Sequence, residues 1–193
     1  MELTLKVVYD GPPMSGKTTN LRQLHAHADP AARGRLLTFD SADGRTLLFD
    51  LLPLHARAGE TTLRLRVYSV PGQVQHHATR KIVLAGADGV VFVADSQPSR
   101  NAANRTALAD LRQSLRELGG EAEQIPLVVQ VNKRDLVDMA PTETDAVPAC
   151  AIVAEGVVET FLAIVQRVLA RAPGVGDPAE ALRVVAGVFQ KRA

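Results

Sequence analysis

Apolar positions along this chain recur first at every second residue and then at every third or fourth, and the two periods keep alternating. Leu3 to Tyr9 alternates as a strand does, and the pattern from Lys17 to about residue 28 reads as a helix. A polar stretch rich in Gly, Asp and Arg follows from Asp29 to Arg45, predicting a flexible connection. Thr46 to Leu52 and Thr62 to Tyr68 read as strands, and Ala58-Gly59-Glu60 between them reads as a hairpin, so this pair is predicted antiparallel. After a loop over 69–79 comes a short helical turn near 79–85. Gly89 to Ala94 is a near-continuous apolar run, the mark of a central strand covered on both faces. Leu108, Leu111, Leu115 and Leu118 lie on one helix face. Ile125 to Val131 reads as another buried strand, Ala149 to Val153 as the last, and Val157 to Arg171 as a closing helix. A Gly- and Pro-rich break over 172–178 precedes one more amphipathic helix, Ala179 to Lys191, with Leu182, Val185 and Phe189 on one face.

Strands alternating with helices predict an α/β fold with a mostly parallel central sheet flanked by helices. Its expected extent is 1–172, with 173–193 a linker and an extra C-terminal helix packed back on the domain surface. Composition adds little: 193 residues, 46% hydrophobic and 22% charged, suit one ordinary globular domain. A formal net charge of +1 gives no general case for nucleic acid or an anionic membrane. No apolar stretch is long and uninterrupted enough to span a membrane, and neither end carries a lipidation motif. The single cysteine, Cys150, forms no internal disulfide, and the expected compartment is cytoplasmic.

The chemistry gathers after the strand ends. Gly11-Pro12-Pro13-Met14-Ser15-Gly16-Lys17-Thr18 matches G-x-x-x-x-G-K-[ST] between a strand and a helix, the phosphate-binding loop. Such a loop turns backbone N–H groups and the positive end of a helix dipole toward phosphate. Gly11, Met14, Ser15, Gly16, Lys17, Thr18 and Thr19 are therefore candidate nucleotide ligands, with Lys17 at the terminal phosphates and the Thr18 hydroxyl on Mg²⁺. Asn132-Lys133-Arg134-Asp135 reads N-K-x-D. The Asp135 carboxylate there suits the donor pair of guanine, which adenine lacks. Asn132 would tie this loop to the phosphate loop, and the Lys133 stem would cover the base. Val70-Pro71-Gly72-Gln73 follows the third strand, placing Gly72 to sense a γ-phosphate and Gln73 to orient a water. Thr46 is a candidate second Mg²⁺ ligand. Arg45 reads equally as an arginine finger in cis or as a solvated loop cation. The strands ending at Tyr9, Tyr68, Ala94 and Val131 should lie side by side and bring these motifs together.

The blocks Gly11 to Asn20, Arg45 to Leu54, Tyr68 to Val74, Gly89 to Gln97 and Asn132 to Leu136, taken in order, resemble the MglA family. These are bacterial Ras-like small GTPases of gliding motility and cell polarity. The resemblance covers roughly residues 4 to 171. It implies a P-loop, Ras-like G domain that binds GTP/GDP with Mg²⁺, hydrolyses GTP slowly and acts as a switch. It further implies stimulation by a dimeric Roadblock/LC7-type partner resembling MglB. That partner supplies no arginine but repositions the switch segments so that Arg45 and Gln73 reach the γ-phosphate, where Arg45 and Lys17 stabilise the transferred charge. Recruitment of a cytoplasmic protein to cell poles or motility complexes is part of the same expectation.

Some positions depart from the family pattern. Ser69 stands where Ras-like proteins carry Asp and MglA-type proteins Thr, so the usual acidic support for Mg²⁺ is expected to be missing. Pro12-Pro13 removes two N–H donors and stiffens the loop. Leu136 to Ala149 has little apolar periodicity where a helix is usual. The guanine-backing loop near Ala151 and Ile152 lacks Ser-Ala-Lys. The adjacent His76 and His77 suggest partner contact or plain exposure. Those departures keep a rival open: a non-hydrolysing adaptor that works by protein contact.

Overall fold

The computed structural model describes residues 2–39, 49–70, 77–136 and 145–190. Alternation along β1 (Glu2–Asp10) sets its layering. Leu5, Val7 and Tyr9 enter one apolar core and Val8 the other. β5 (Gly89–Asp95) divides the same way, with Val91 and Val93 on the first side and Val90, Phe92 and Ala94 on the second. A strand apolar on both faces must be covered on both, and every residue of β5 is buried.

The remaining elements are α1 (Lys17–His27), β2 (Leu37–Phe39), β3 (Phe49–Ala58), β4 (Thr61–Ser69), α2 (His77–Leu84), α3 (Asn101–Leu118), β6 (Leu127–Asn132), β7 (Val147–Pro148), α4 (Val157–Leu169) and α5 (Pro178–Gly187). The strands form one sheet in the order β2-β3-β4-β1-β5-β6-β7. β2, β3 and β4 pair antiparallel and the rest pair parallel, a mostly parallel sheet flanked by helices as in a Ras-like P-loop G domain. Leu21 and Leu24 of α1, Phe161 and Ile164 of α4 and Val185 of α5 close the first face. Val83 and Leu84 of α2 with Leu111 and Leu115 of α3 close the second. The four strands whose ends carry the motifs, β4, β1, β5 and β6, are consecutive and parallel, as the sequence requires.

Three boundaries depart from the sequence reading. The polar stretch after α1 contains a strand, β2, paired through Leu37, Thr38 and Phe39 with Leu51, Asp50 and Phe49. All three β2 residues are exposed, so no apolar period announces it. β3 runs on past Leu52 to Ala58, because its ladder with β4 continues to the Gly59-Glu60 turn. Ala149 to Val153 is not the last strand: that strand is β7, and Ala151–Val153 is a single 3₁₀ turn. Gly156 dictates this turn, since a Cβ there would lie 2.2 Å from the Pro148 carbonyl at a φ of +71°.

α5 begins on an N-cap, Asp177, whose carboxylate accepts from Ala179 N–H at 2.8 Å. It ends at Gly187, short of Lys191. Its buried face, Ala181 and Val185 with Val188 beyond, enters the same core as α4, where Phe189 meets Phe161 edge-on at 5.6 Å.

Candidate functional site

The phosphate loop leaves β1 at Asp10 and returns at α1. Gly16 caps α1 in a left-handed conformation, φ 105°, with no side-chain cap, so the first N–H groups of the helix face the loop without a competitor. Lys17 folds under the loop, 7% exposed, and its ammonium donates to the Gly11 and Pro12 carbonyls at 2.8 and 2.7 Å. Burial lowers this amine to about 8; the Asp10 carboxylate opposes the fall and the Arg80 guanidinium adds to it. Met14 lies on the rim, 78% exposed, with a positive φ of 62°. The Ser15 hydroxyl is buried and has no hydrogen-bond partner among the described residues. Beneath the loop, Gln130 exchanges two hydrogen bonds with Asn20 and donates to the Thr160 hydroxyl, each at 2.9 Å, and Asn20 also donates to the Gly16 carbonyl, fixing α1 on β6 and α4.

Beside the loop, one carboxylate gathers three hydroxyls. Asp50 is buried on β3, in register with Ser69 on β4. Its Oδ2 accepts from Thr18 and Ser69, each at 2.7 Å, and its Oδ1 accepts from Thr38 at 2.8 Å. A carboxylate thus lies one strand away from Ser69, because antiparallel pairing sets position 50 opposite position 69. Only the ladder register reveals it; the lone signal in sequence is a carboxylate inside an apolar run. Hydroxyl and carboxylate oxygens are the hard donors Mg²⁺ takes. Among the described residues no trio of His, Cys, Asp or Glu converges on a metal position. Thr18 with Asp50 behind it could offer a cation part of its shell, and Mg²⁺ usually takes further phosphate and water oxygens.

At the end of β6, Asn132 ties three segments together. Its Nδ2 donates to the Ser15 carbonyl at 2.8 Å and its Oδ1 accepts from Ala151 N–H at 2.8 Å. Lys133, at a φ of 68°, extends its ammonium to Asp95 Oδ2 at 2.6 Å. Burial alone would raise the Asp95 carboxyl, but Lys133 and the Gln97 N–H donors outweigh it and hold it below the usual range. Asp95 also lies 3.8 Å from Arg100 Nε, and Arg100 donates to the Pro13 carbonyl at 3.0 Å. Asp95 therefore links the base side of the groove to the phosphate loop. Asp135 Oδ1 accepts from the Cys150 thiol at 3.1 Å, and burial together with this carboxylate pushes the thiol pKa up. The neutral thiol orients the carboxylate that would meet a base. Ala151 is buried here, whereas Ile152 is 71% exposed and leaves only backbone to back a base.

These contacts bring Gly11, Ser15, Gly16, Lys17, Thr18, Asn132, Lys133, Asp135 and Ala151 together beyond the carboxyl ends of β1 and β6, with Thr19 next along α1. Arg45, Thr46, Gly72, Gln73 and His76 lie outside the described residues. Sequence reasoning missed Asp50, Thr38 and the buried Asp10–Arg80 pair, whose partners are distant in the chain. No protein-family model matches the chain. It is 45% identical over 145 residues to the mutual gliding-motility protein MglA of Myxococcus xanthus (strain DK1622), an alignment covering 74% of this chain and 73% of that protein.

Proposed function

The chain belongs to the MglA family of Ras-like small GTPases, and from that premise we propose that it is a Mg²⁺-dependent GTP/GDP switch acting in motility or cell polarity. The observation that carries the reading is the convergence beyond the carboxyl ends of β1 and β6: Lys17 and the loop for phosphates, Thr18 with Asp50 for the cation, Asn132 and Asp135 for guanine. Asp135 offers its second oxygen to the ring N–H and exocyclic amine of guanine. Lys17 would exchange the loop carbonyls for the terminal phosphates of a bound nucleotide, where Mg²⁺ would supply further positive charge. Thr18 and Thr46 would ligate the ion, with Asp50 holding the Thr18 hydroxyl. Gln73 orients the attacking water, and Arg45 stabilises charge on the transferred phosphoryl group. Output is binding of a protein partner to the switch segments, and a Roadblock-type dimer that repositions Arg45 and Gln73 would accelerate the hydrolysis.

Nucleotide carried through purification, then GTP turnover with Mg²⁺ and with excess EDTA, tests this reading. The expected result is bound GDP and slow Mg²⁺-dependent turnover that falls by at least about tenfold in Arg45→Ala and in Gln73→Ala. Protein free of nucleotide that turns over no GTP would mark an adaptor instead.

A further inference from the structure

The turn that follows β6 is held by two adjacent residues at the end of β5. β5 and β6 pair parallel with Asp95 opposite Asn132, so the chain leaves both strands at one level. Ser96 donates its N–H to the Asn132 carbonyl at 3.0 Å and its hydroxyl to the Lys133 carbonyl at 2.9 Å. Asp95, its side chain 1% exposed, takes the Lys133 ammonium on Oδ2 at 2.6 Å. Lys133 is therefore gripped at its backbone and at its charged tip.

That grip falls on a left-handed residue, φ 68°. A residue bearing a side chain keeps such a conformation only where its surroundings hold it. The Lys133 carbonyl also accepts from Leu136 N–H at 3.2 Å, which closes the segment carrying Asp135. The holding residues are themselves fixed. Asn104 of α3 accepts the Asp95 N–H at 3.0 Å and donates to the Asp95 carbonyl at 2.8 Å. Gln97 donates its backbone N–H and its side-chain amide to Asp95 Oδ1, each at 3.1 Å. On Oδ2, Lys133 is nearest, with the Gln97 amide at 3.2 Å and Arg100 Nε at 3.8 Å.

We propose that Asp95 and Ser96 are positioning residues for guanine selectivity: by holding Lys133 at its ammonium and its carbonyl, they fix the turn that presents Asp135 to the base. This rests on the base-reading role given to Asp135 above. Both residues act through Lys133.

The test is competitive titration of the full chain with GDP and with IDP in Mg²⁺, alongside melting temperatures. IDP keeps the ring N–H of guanine and lacks the exocyclic amine. The ratio of the two affinities therefore reports how the carboxylate is aimed, and a general loss of stability does not move it. The variants are Asp95→Asn, Ser96→Ala, Lys133→Met, Asp95→Asn combined with Lys133→Met, and Asp135→Ala. Asp95→Asn keeps an acceptor for Gln97 and loses the charge that holds Lys133. It and Ser96→Ala should each shrink the preference for GDP by about threefold to tenfold. Lys133→Met keeps the stem and leaves Asp95 in place, so it should show the same loss and keeps the test open if the buried substitution unfolds the protein. Adding Asp95→Asn to Lys133→Met should change the preference by less than about twofold, because the ammonium is already gone. An unchanged preference in folded Asp95→Asn or Ser96→Ala would overturn the proposal. So would an Asp95→Asn effect as large beside Lys133→Met as alone, which would assign its action to Gln97 or Arg100. If Asp135→Ala keeps the preference for GDP, the role of Asp135 fails and this proposal with it. A preference lost in Asp135→Ala beside normal Asp95 and Ser96 variants sinks this proposal alone.

Discussion

A Cβ on Gly16 would sit 2.2 Å from Asn132 Nδ2, at a backbone φ of +105° that side-chain-bearing residues rarely adopt. Gly11 is as constrained, 2.3 Å from the Val93 carbonyl at φ +143°. Gly16→Ala should therefore strain the loop by about 1–3 kcal/mol and also push Asn132 off the Ser15 carbonyl. Isothermal titration with GDP should show binding weakened by about fivefold to a hundredfold, given roughly tenfold per 1.4 kcal/mol. Asp50 makes the opposite kind of contribution, by what it holds. Asp50→Ala strands the hydroxyls of Thr18, Thr38 and Ser69, and Asp50→Asn keeps the shape without the charge. In both, the gain in GDP affinity from Mg²⁺ over EDTA should shrink about tenfold or more, the usual effect of removing an outer-shell partner. Equal Mg²⁺ dependence in wild type and Asp50→Asn would leave the carboxylate a purely structural role.

Among the elements, those with a sustained period were legible and those without were not. β1, β5 and α3 follow from alternation, a continuous apolar run and a three-to-four spacing. β2 and β7 are too short and too exposed to show a period, and they exist because a neighbouring strand offers an open edge. α5 was legible as an amphipathic helix packed on the domain, but the residues it meets were not. Its seat is the core shared with α4, where Phe161 is fully buried against Phe189 and Val185 is fully buried. Phe161→Ala should cost about 3–5 kcal/mol, read as a lower urea midpoint. A loss under about 1 kcal/mol would mean that α5 adds little to the core.

At the scale of the molecule, the groove is assembled from strands, turns and helices that meet only in the folded chain, so a ligand spanning it should stabilise the whole. GDP with Mg²⁺ at a hundred times its Kd should raise stability by about 2.7 kcal/mol, whereas ADP at the same concentration should leave the melting temperature unchanged. Equal shifts with both nucleotides would remove guanine specificity from Asp135. The sequence by itself determined the α/β alternation, the phosphate loop and the N-K-x-D turn, because each depends on a local period or on spacing within a few residues. Only the tertiary structure decided that Asp50 faces Thr18 and Ser69, that Cys150 meets Asp135, and that Arg80 reaches Asp10. Strand register and helix docking create those contacts, and both are set by how two apolar faces are buried at once.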